Sequence, residues 1–180
     1  MLNGGDVTDV IDGDVYIFQD GWGEDCITDA AGTDRLFFGE LTSPVTVDLA
    51  ASDTDAEASS GANTVDWPST VAIESATGGT ANDVLRGDDS GNTLNGQGGD
   101  DTISGGDGMD TVSGDSPGLS NLTGNDTIDV ADGDPGDTVD CGPGTDVVDV
   151  DASSGPEEGT VRLDTDIKDD CETVSEVLIN

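Results

Sequence analysis

Acidic side chains recur at fixed intervals in this chain, separated by glycines and branched apolar residues. Residues 78–113 divide into four consecutive nonapeptides, GGTANDVLR, GDDSGNTLN, GQGGDDTIS and GGDGMDTVS. All four have glycine at position one, Asp or Asn at position six, and Leu, Ile or Val at position eight. Oxygen atoms of carboxylates and amides are the ligands that hard cations prefer. The position-six residues are therefore candidate metal ligands: Asp83, Asn92, Asp101 and Asp110.

The nine-residue period continues imperfectly on both sides of this block. A seven-residue insertion at 114–120 precedes NLTGNDTID at 121–129, and two extra residues precede DGDPGDTVD at 132–140 and CGPGTDVVD at 141–149. Upstream, DGWGEDCIT at 20–28 and DAAGTDRLF at 29–37 keep the same phase, and GGDVTDVID at 4–12 is a weaker copy. These segments add six candidate ligands: Asp126, Asp137, Asp146, Asp25, Asp34 and Asp9.

The overall composition excludes several classes of protein. The 180 residues are 32% apolar and 3% aromatic, with a formal net charge of −37. Such a composition is typical of disorder, but the periodic placement of the apolar residues favours a repetitive fold. Four cationic residues form no basic patch, which argues against nucleic acid and anionic membranes as partners. With no histidine, the chain has no His-based metal site and no Ser-His-Asp arrangement. The sequence has no apolar run long enough for a membrane-spanning helix.

The nonapeptide pattern resembles the repeats-in-toxin family, whose repeat is GGxGxDxUx, where U is a large apolar residue. The run VAIESATGGTANDVLRGDDSGNTLNGQGGDDTI is similar to the β-roll domain of secreted serralysin-type proteases. The resemblance implies an all-β fold, a right-handed parallel β-roll (β-solenoid) in which two nonapeptides complete one coil. It also implies several calcium ions, held by position-six carboxylates and backbone carbonyl oxygens. Position eight is expected to face the core and position seven the solvent.

A coil of two nonapeptides predicts which candidate ligands stack on each other. One row contains Asp83, Asp101, Asp126 and Asp146, whose spacings equal two repeat lengths once the insertions are subtracted. The opposite row contains Asn92, Asp110 and Asp137. Asn92 is expected to be the weakest ligand, because an amide brings no charge. Asp25 and Asp34 are one repeat length apart and are expected on opposite sides, with their stacking partners left open.

The pattern predicts one elongated domain over residues 1–180. It divides into a first repeat block (4–37), irregular coils (38–77), a second repeat block (78–149) and a terminal cap (150–180). The segments CGPGTD and DCETV are similar to the terminal part of many secreted calcium-binding repeat proteins. That similarity implies a disulfide between Cys141 and Cys171, with two unpaired thiols as the alternative. Cys26 is expected to face outward, either as a thiol or bonded to another chain.

The aromatic residues allow two interpretations. Trp22, Trp67, Tyr16 and Phe18 are expected to pack the ends and irregular coils, with a carbohydrate-binding platform as the alternative.

These features together favour a calcium-binding structural module outside the cell or at its surface, without enzymatic activity. Such a module folds when calcium binds and belongs to a surface, filament or adhesin-type assembly, with copies of itself, end to end, as candidate partners. The alternative is the C-terminal secretion and folding domain of a larger hydrolase exported by type I secretion. The last residues, SEVLIN, are similar to the tail of serralysin-type exported proteins.

Overall fold

The computed structural model describes residues 6–7, 13–28, 32–50, 57–116, 122–133, 136–154, 161–163, 166–167, 171 and 173–178. Within these ranges every regular element is a β-strand, which confirms the predicted all-β class. No helix in this part of the chain is long and apolar enough to cross a membrane.

The described strands form two sheets. In chain order they are β1 (Asp6–Val7), β2 (Val15–Ile17), β3 (Glu24–Ile27), β4 (Arg35–Phe37), β5 (Thr46–Asp48), β6 (Ala58–Ser60), β7 (Asn63–Asp66), β8 (Ser75–Thr77), β9 (Val84–Arg86), β10 (Thr93–Gln97), β11 (Thr102–Ser104), β12 (Thr111–Asp115), β13 (Thr127–Val130), β14 (Thr138–Asp140), β15 (Val147–Ser154), β16 (Val161–Leu163), β17 (Asp166–Ile167) and β18 (Thr173–Leu178). The first sheet has the order β1-β3-β7-β6-β5-β9-β11-β13-β15-β16, with β18 also paired to β15. The second has the order β17-β14-β12-β10-β8-β4-β2.

From β8 to β15 the chain alternates between the two sheets, and each strand pairs in parallel with the strand two further along. Ile103 of β11 lies opposite Leu85 of β9, which is two nonapeptides earlier. Val112 of β12 lies opposite Leu94 of β10 at the same separation. Position eight therefore stacks on position eight in each sheet, as the nine-residue period predicts.

The apolar core of the repeats consists mainly of one line of position-eight side chains in each sheet, to which Val130, Cys141 and Val150 add. All seven position-eight side chains are at most 1% exposed: Leu85, Leu94, Ile103, Val112, Ile128, Val139 and Val148. The residues beside them, such as Thr102 and Thr111, face solvent, as strand alternation requires. Burying one such side chain contributes about 2 kcal/mol. One such side chain per nonapeptide gives this region little apolar stabilisation.

Aromatic side chains enlarge the core in the N-terminal half. The rings of Phe18 and Phe38 stack with centroids 4.6 Å apart, and Trp22 contacts both. Trp67 is also buried, at 2% exposure, and Tyr16 at 4%. These rings pack the interior, as expected, and form no exposed platform.

Residues 38–77 depart from the repeat because they contain two antiparallel pairings. Strand β6 pairs antiparallel with β5 on one side and with β7 on the other. β7 then pairs in parallel with β3, and β5 with β9. This region separates β3 from the regular strands of the first sheet, whereas in the second sheet β4 pairs directly with β8.

The insertion begins later than predicted. Strand β12 runs on through Gly114 to Asp115, which lies opposite Gln97, so the insertion begins after Asp115 and not at Gly114.

The disulfide implied by the resemblance is present, with the Cα atoms of Cys141 and Cys171 5.3 Å apart. The third cysteine, Cys26, is half-buried and lies outside this disulfide.

Candidate metal centre

The first predicted row of carboxylates is present in the structure. Asp83, Asp101, Asp126 and Asp146 each stand immediately before a strand of the first sheet. The Oδ1 atom of each later member accepts a hydrogen bond from the backbone N–H of the member before it. The distances are 2.7 Å from Asp83 to Asp101, 2.8 Å from Asp101 to Asp126 and 2.8 Å from Asp126 to Asp146. The separations of 18, 25 and 20 residues are those predicted from an 18-residue coil with two insertions.

The second row has the same geometry at the second sheet. The N–H of Asn92 donates to Oδ1 of Asp110 at 2.8 Å, and the N–H of Asp110 donates to Oδ1 of Asp137 at 2.9 Å. Earlier in this sheet, Oδ1 of Asp34 accepts the N–H of Asp14 at 2.8 Å. Asp34 is thus a member of this row, which answers the question of its stacking partners that the sequence left open.

Glu74 is a member of the second row that the pattern did not identify. Its Oε2 accepts the N–H of Asp34 at 2.7 Å, and its backbone oxygen accepts the N–H of Thr93. Glu74 thus links Asp34 to Asn92. The sequence contains a signal for this place in the row, because Glu74 stands two repeat lengths before Asn92 and directly before a strand.

Asp25 is in the first sheet, on the side opposite Asp34, as their spacing predicted. It lies within β3 opposite Val65 and is buried. The place that position six occupies elsewhere is taken here by Gly23, whose backbone oxygen accepts the N–H of Thr64. Gly23 in turn donates to Oδ1 of Asn63 at 3.1 Å. The pairing of β3 with β7 therefore has a different register from the pairings of the regular repeats. The remaining candidate, Asp9, lies outside the described residues.

Burial makes ionisation of the position-six carboxylates unfavourable. Asp83, Asp101, Asp110 and Asp126 are at most 2% exposed. The pKa of Asp101 is raised from 3.8 to about 8 and that of Asp126 to about 7. Burial is the main cause, a backbone hydrogen bond lowers each pKa, and nearby carboxylates raise it. Burial likewise raises the pKa of Asp83 and of Asp110 to about 6. A bound cation would remove this penalty.

One oxygen of several position-six carboxylates has no hydrogen-bond donor. Among the described residues, the Oδ2 atoms of Asp101, Asp110 and Asp126 are buried and accept no hydrogen bond. A buried anionic oxygen without a donor is costly, and in native proteins it is normally satisfied by water or by an ion.

Backbone oxygens converge on the same places. A side chain at Gly96 would collide with Oδ2 of Asp101 and with the carbonyl oxygen of Gly114. At Gly114 the colliding atoms would be Oδ2 of Asp126 and the carbonyl oxygen of Cys141. At these two places the residue must therefore be glycine for reasons of space. The carboxylate and carbonyl oxygens beside it form a set of ligands suited to a hard cation.

Two carboxylates outside position six also lie at the rows. Asp115 is fully buried, its Oδ2 accepts the N–H of Gly124 at 3.2 Å, and its Oδ1 is buried without a donor in the described part of the chain. Its pKa is raised to about 6, mainly by burial, with a contribution from the charge of Asp146. Asp132 offers a carboxylate oxygen within 4.8 Å of oxygens from Asp110 and Asp137. Both residues lie beside insertions, to which the repeat assigns no ligand.

No model of a known protein family matches this chain, and a comparison with curated proteins found no match.

Proposed function

We propose that this chain is an extracellular structural module that binds several calcium ions and folds around them as a right-handed parallel β-roll of the repeats-in-toxin type. The observation that carries the proposal is the pair of rows of buried carboxylates. In these rows one oxygen of each aspartate accepts a backbone hydrogen bond, and the other, in Asp101, Asp110 and Asp126, accepts none from the described residues. The alternation of strands between two parallel sheets, with paired strands two nonapeptides apart, supports the β-roll.

The chemistry of the ligand set favours calcium over other cations. All the atoms at these places are oxygens, from carboxylates, from backbone carbonyls and from the amide of Asn92. Calcium takes six to eight oxygens in flexible arrangements, whereas magnesium requires a near-ideal octahedron and retains water. The chain has no histidine, and the thiols of Cys141 and Cys171 are oxidised to a disulfide, so softer metals find few suitable ligands.

The balance of core and charge supports folding coupled to calcium binding. The net charge is −37, and the position-eight core of the repeats consists of one buried apolar side chain per nonapeptide. Without cations, burying rows of carboxylates opposes folding, and the thin core does not compensate. The free energy of metal binding then becomes free energy of folding.

An oxidising location outside the cell is supported by the disulfide between Cys141 and Cys171. Extracellular calcium modules bind their ions in the range of about 0.1 to 1 mM. As a structural module, the chain is proposed to join a surface or filament-type assembly, in which copies stack end to end.

A calcium titration of the full chain tests the proposal. We expect far-UV circular dichroism to show little strand in chelator and a strong strand signal after addition of calcium to about 1 mM. Magnesium at the same concentration should induce much less. The variant Asp126→Asn should need more calcium than Asp107→Asn, which removes the same charge from an exposed turn. Unchanged strand content in chelator, or no calcium retained in equilibrium dialysis, would overturn the proposal.

A further inference from the structure

Asp132 is a carboxylate outside the repeat pattern that lies beside the second row. The segment between Asp129 and Asp137 is two residues longer than the corresponding segments of the regular repeats. Strand β13 runs through Val130, opposite Val150, and Asp132 lies in the longer segment that follows. The repeat does not require an acidic residue at this place.

The longer segment brings three carboxylates together. Asp110, Asp132 and Asp137 each offer an oxygen atom, and these atoms lie within 4.8 Å of one another. Asp110 and Asp137 are buried, and Asp132 is half-buried. Three carboxylates at this separation repel each other strongly unless a cation or protons lie between them.

The second oxygen of Asp110 is an independent indication of a ligand. Asp110 is 1% exposed, and its Oδ1 accepts the N–H of Asn92. Its Oδ2 is buried and accepts no hydrogen bond from any residue that the structure describes. A side chain at Gly105 would collide with this oxygen, so the backbone also leaves the place beside it open.

An open pocket on the surface lies beside this group. Asp132 is part of the pocket wall and also part of the three-carboxylate group. The other lining residues are Ser104, Gly106, Asp107, Asp129, Val130 and Ala131.

We propose that Asp132 completes a cation site with Asp110 and Asp137, and that this site binds calcium more tightly than the sites of the regular repeats. The inference rests on the proposed function for the identity of the ion. Affinity for calcium rises with the number of charged ligands. The neighbouring pair in the same row, Asn92 and Asp110, has one carboxylate, whereas this group has three.

The test compares calcium-binding isotherms of three full-length proteins: the wild type, Asp132→Asn and Asp107→Asn. Asp107→Asn is the matched control, since it removes one charge from an exposed residue of the same pocket. Competition with a chromophoric chelator measures the tightest sites. We expect Asp132→Asn to weaken the tightest class about tenfold or more, while the control stays within about twofold of the wild type. Circular dichroism at saturating calcium should show that every variant folds.

The outcomes separate the two proposals. If the wild-type chain binds no calcium, the proposed function fails and this inference fails with it. If the wild type binds calcium but Asp132→Asn and Asp107→Asn give the same isotherm, only the three-carboxylate site is refuted. Asp132→Ala, which removes the ligand oxygens altogether, is the second variant. It should weaken the tightest class at least as much as Asp132→Asn, and an unchanged tightest class would also refute the site.

Discussion

Replacing Asp101 by asparagine should have opposite effects on the calcium-free and calcium-bound protein. Asp101 is 2% exposed and lies in a row with the carboxylates of Asp83 and Asp126. An amide oxygen can still accept the N–H of Asp83, as the amide of Asn92 accepts the N–H of Asp88 at 2.7 Å. The substitution therefore removes a buried charge and preserves the backbone hydrogen bond. We expect it to stabilise the calcium-free fold and to weaken calcium binding.

The expected magnitude follows from the pKa of this carboxyl. Burial, as the main cause, raises the pKa of Asp101 from 3.8 to about 8. A tenfold change in proton affinity corresponds to about 1.4 kcal/mol, so the ionised form of Asp101 costs the fold several kcal/mol. Allowing for water that reaches the site, we expect Asp101→Asn to stabilise the calcium-free fold by about 2 kcal/mol above pH 8. Loss of one charged ligand should weaken calcium binding about tenfold.

Without calcium the protein is expected to be unfolded in dilute buffer. The assay must therefore induce folding before the stability of the calcium-free protein can be measured. Trimethylamine N-oxide favours compact states, so the midpoint of osmolyte-induced folding in chelator reports the stability of the calcium-free protein. Asp101→Asn should fold at a lower osmolyte concentration than the wild type and need more calcium without osmolyte. Asp107→Asn, at an exposed position, is the control for the loss of charge alone. A higher osmolyte midpoint for Asp101→Asn than for the wild type would refute the reasoning. It would mean that the carboxylate is satisfied within the protein without a cation.

Three further predictions follow from the same structure. In chelator, acidification from about pH 8 to about pH 5 should increase strand content in circular dichroism. The pKa of Asp101 and of Asp126 is higher in the folded than in the unfolded protein, so their protonation stabilises the fold. This stabilisation is complete below about pH 4 and is lost as the pH rises to about 8. A loss of strand on acidification would contradict this prediction. Gly87→Ala should destabilise the calcium-bound protein by about 2 kcal/mol or more in urea unfolding, because its Cβ would collide with a backbone oxygen. Gly61→Ala, with open space around it, should cost only the strain of a positive φ, about 1 kcal/mol, so equal losses would refute the steric argument. Cys171→Ser opens a disulfide that spans 30 residues, and calcium-bound unfolding should show a loss of about 3 to 4 kcal/mol; an unchanged unfolding midpoint would contradict it.

The regular part of the fold could be predicted because its geometry is set by local spacing. Strand alternation places position eight inward, and the nine-residue period then fixes which residues meet across the sheets. Asp83, Asp101 and Asp126 stack as predicted although one insertion lies among them. The insertion changes the length of a connection and leaves the register of the strands on both sides unchanged.

Other features depend on tertiary pairing that the repeat does not encode. Asp25 lies opposite Val65 of β7, which belongs to a segment without the period, so the sequence does not predict this register. Glu74 holds a place in the row because its carboxylate reaches the N–H of Asp34, and a pattern of Asp and Asn does not include it. The burial of Asp115 and the position of Asp132 depend on how the longer connections close, which the repeat does not encode.

Apolar and acidic side chains are distributed unevenly between the two halves of the chain, and this determines where calcium matters most. Phe18, Phe38 and Trp67 give the N-terminal half a core of large buried rings. The regular repeats bury mainly single aliphatic side chains, and Asp83, Asp101, Asp110, Asp115 and Asp126, whose pKa is raised by burial, lie there or at the adjoining insertion. Burial of apolar area stabilises the first region under any ionic condition, whereas folding of the second depends on neutralising the charge inside it. Dependence on calcium should therefore be concentrated after residue 78, where the acidic residues whose burial opposes folding are the same residues that we propose as ligands.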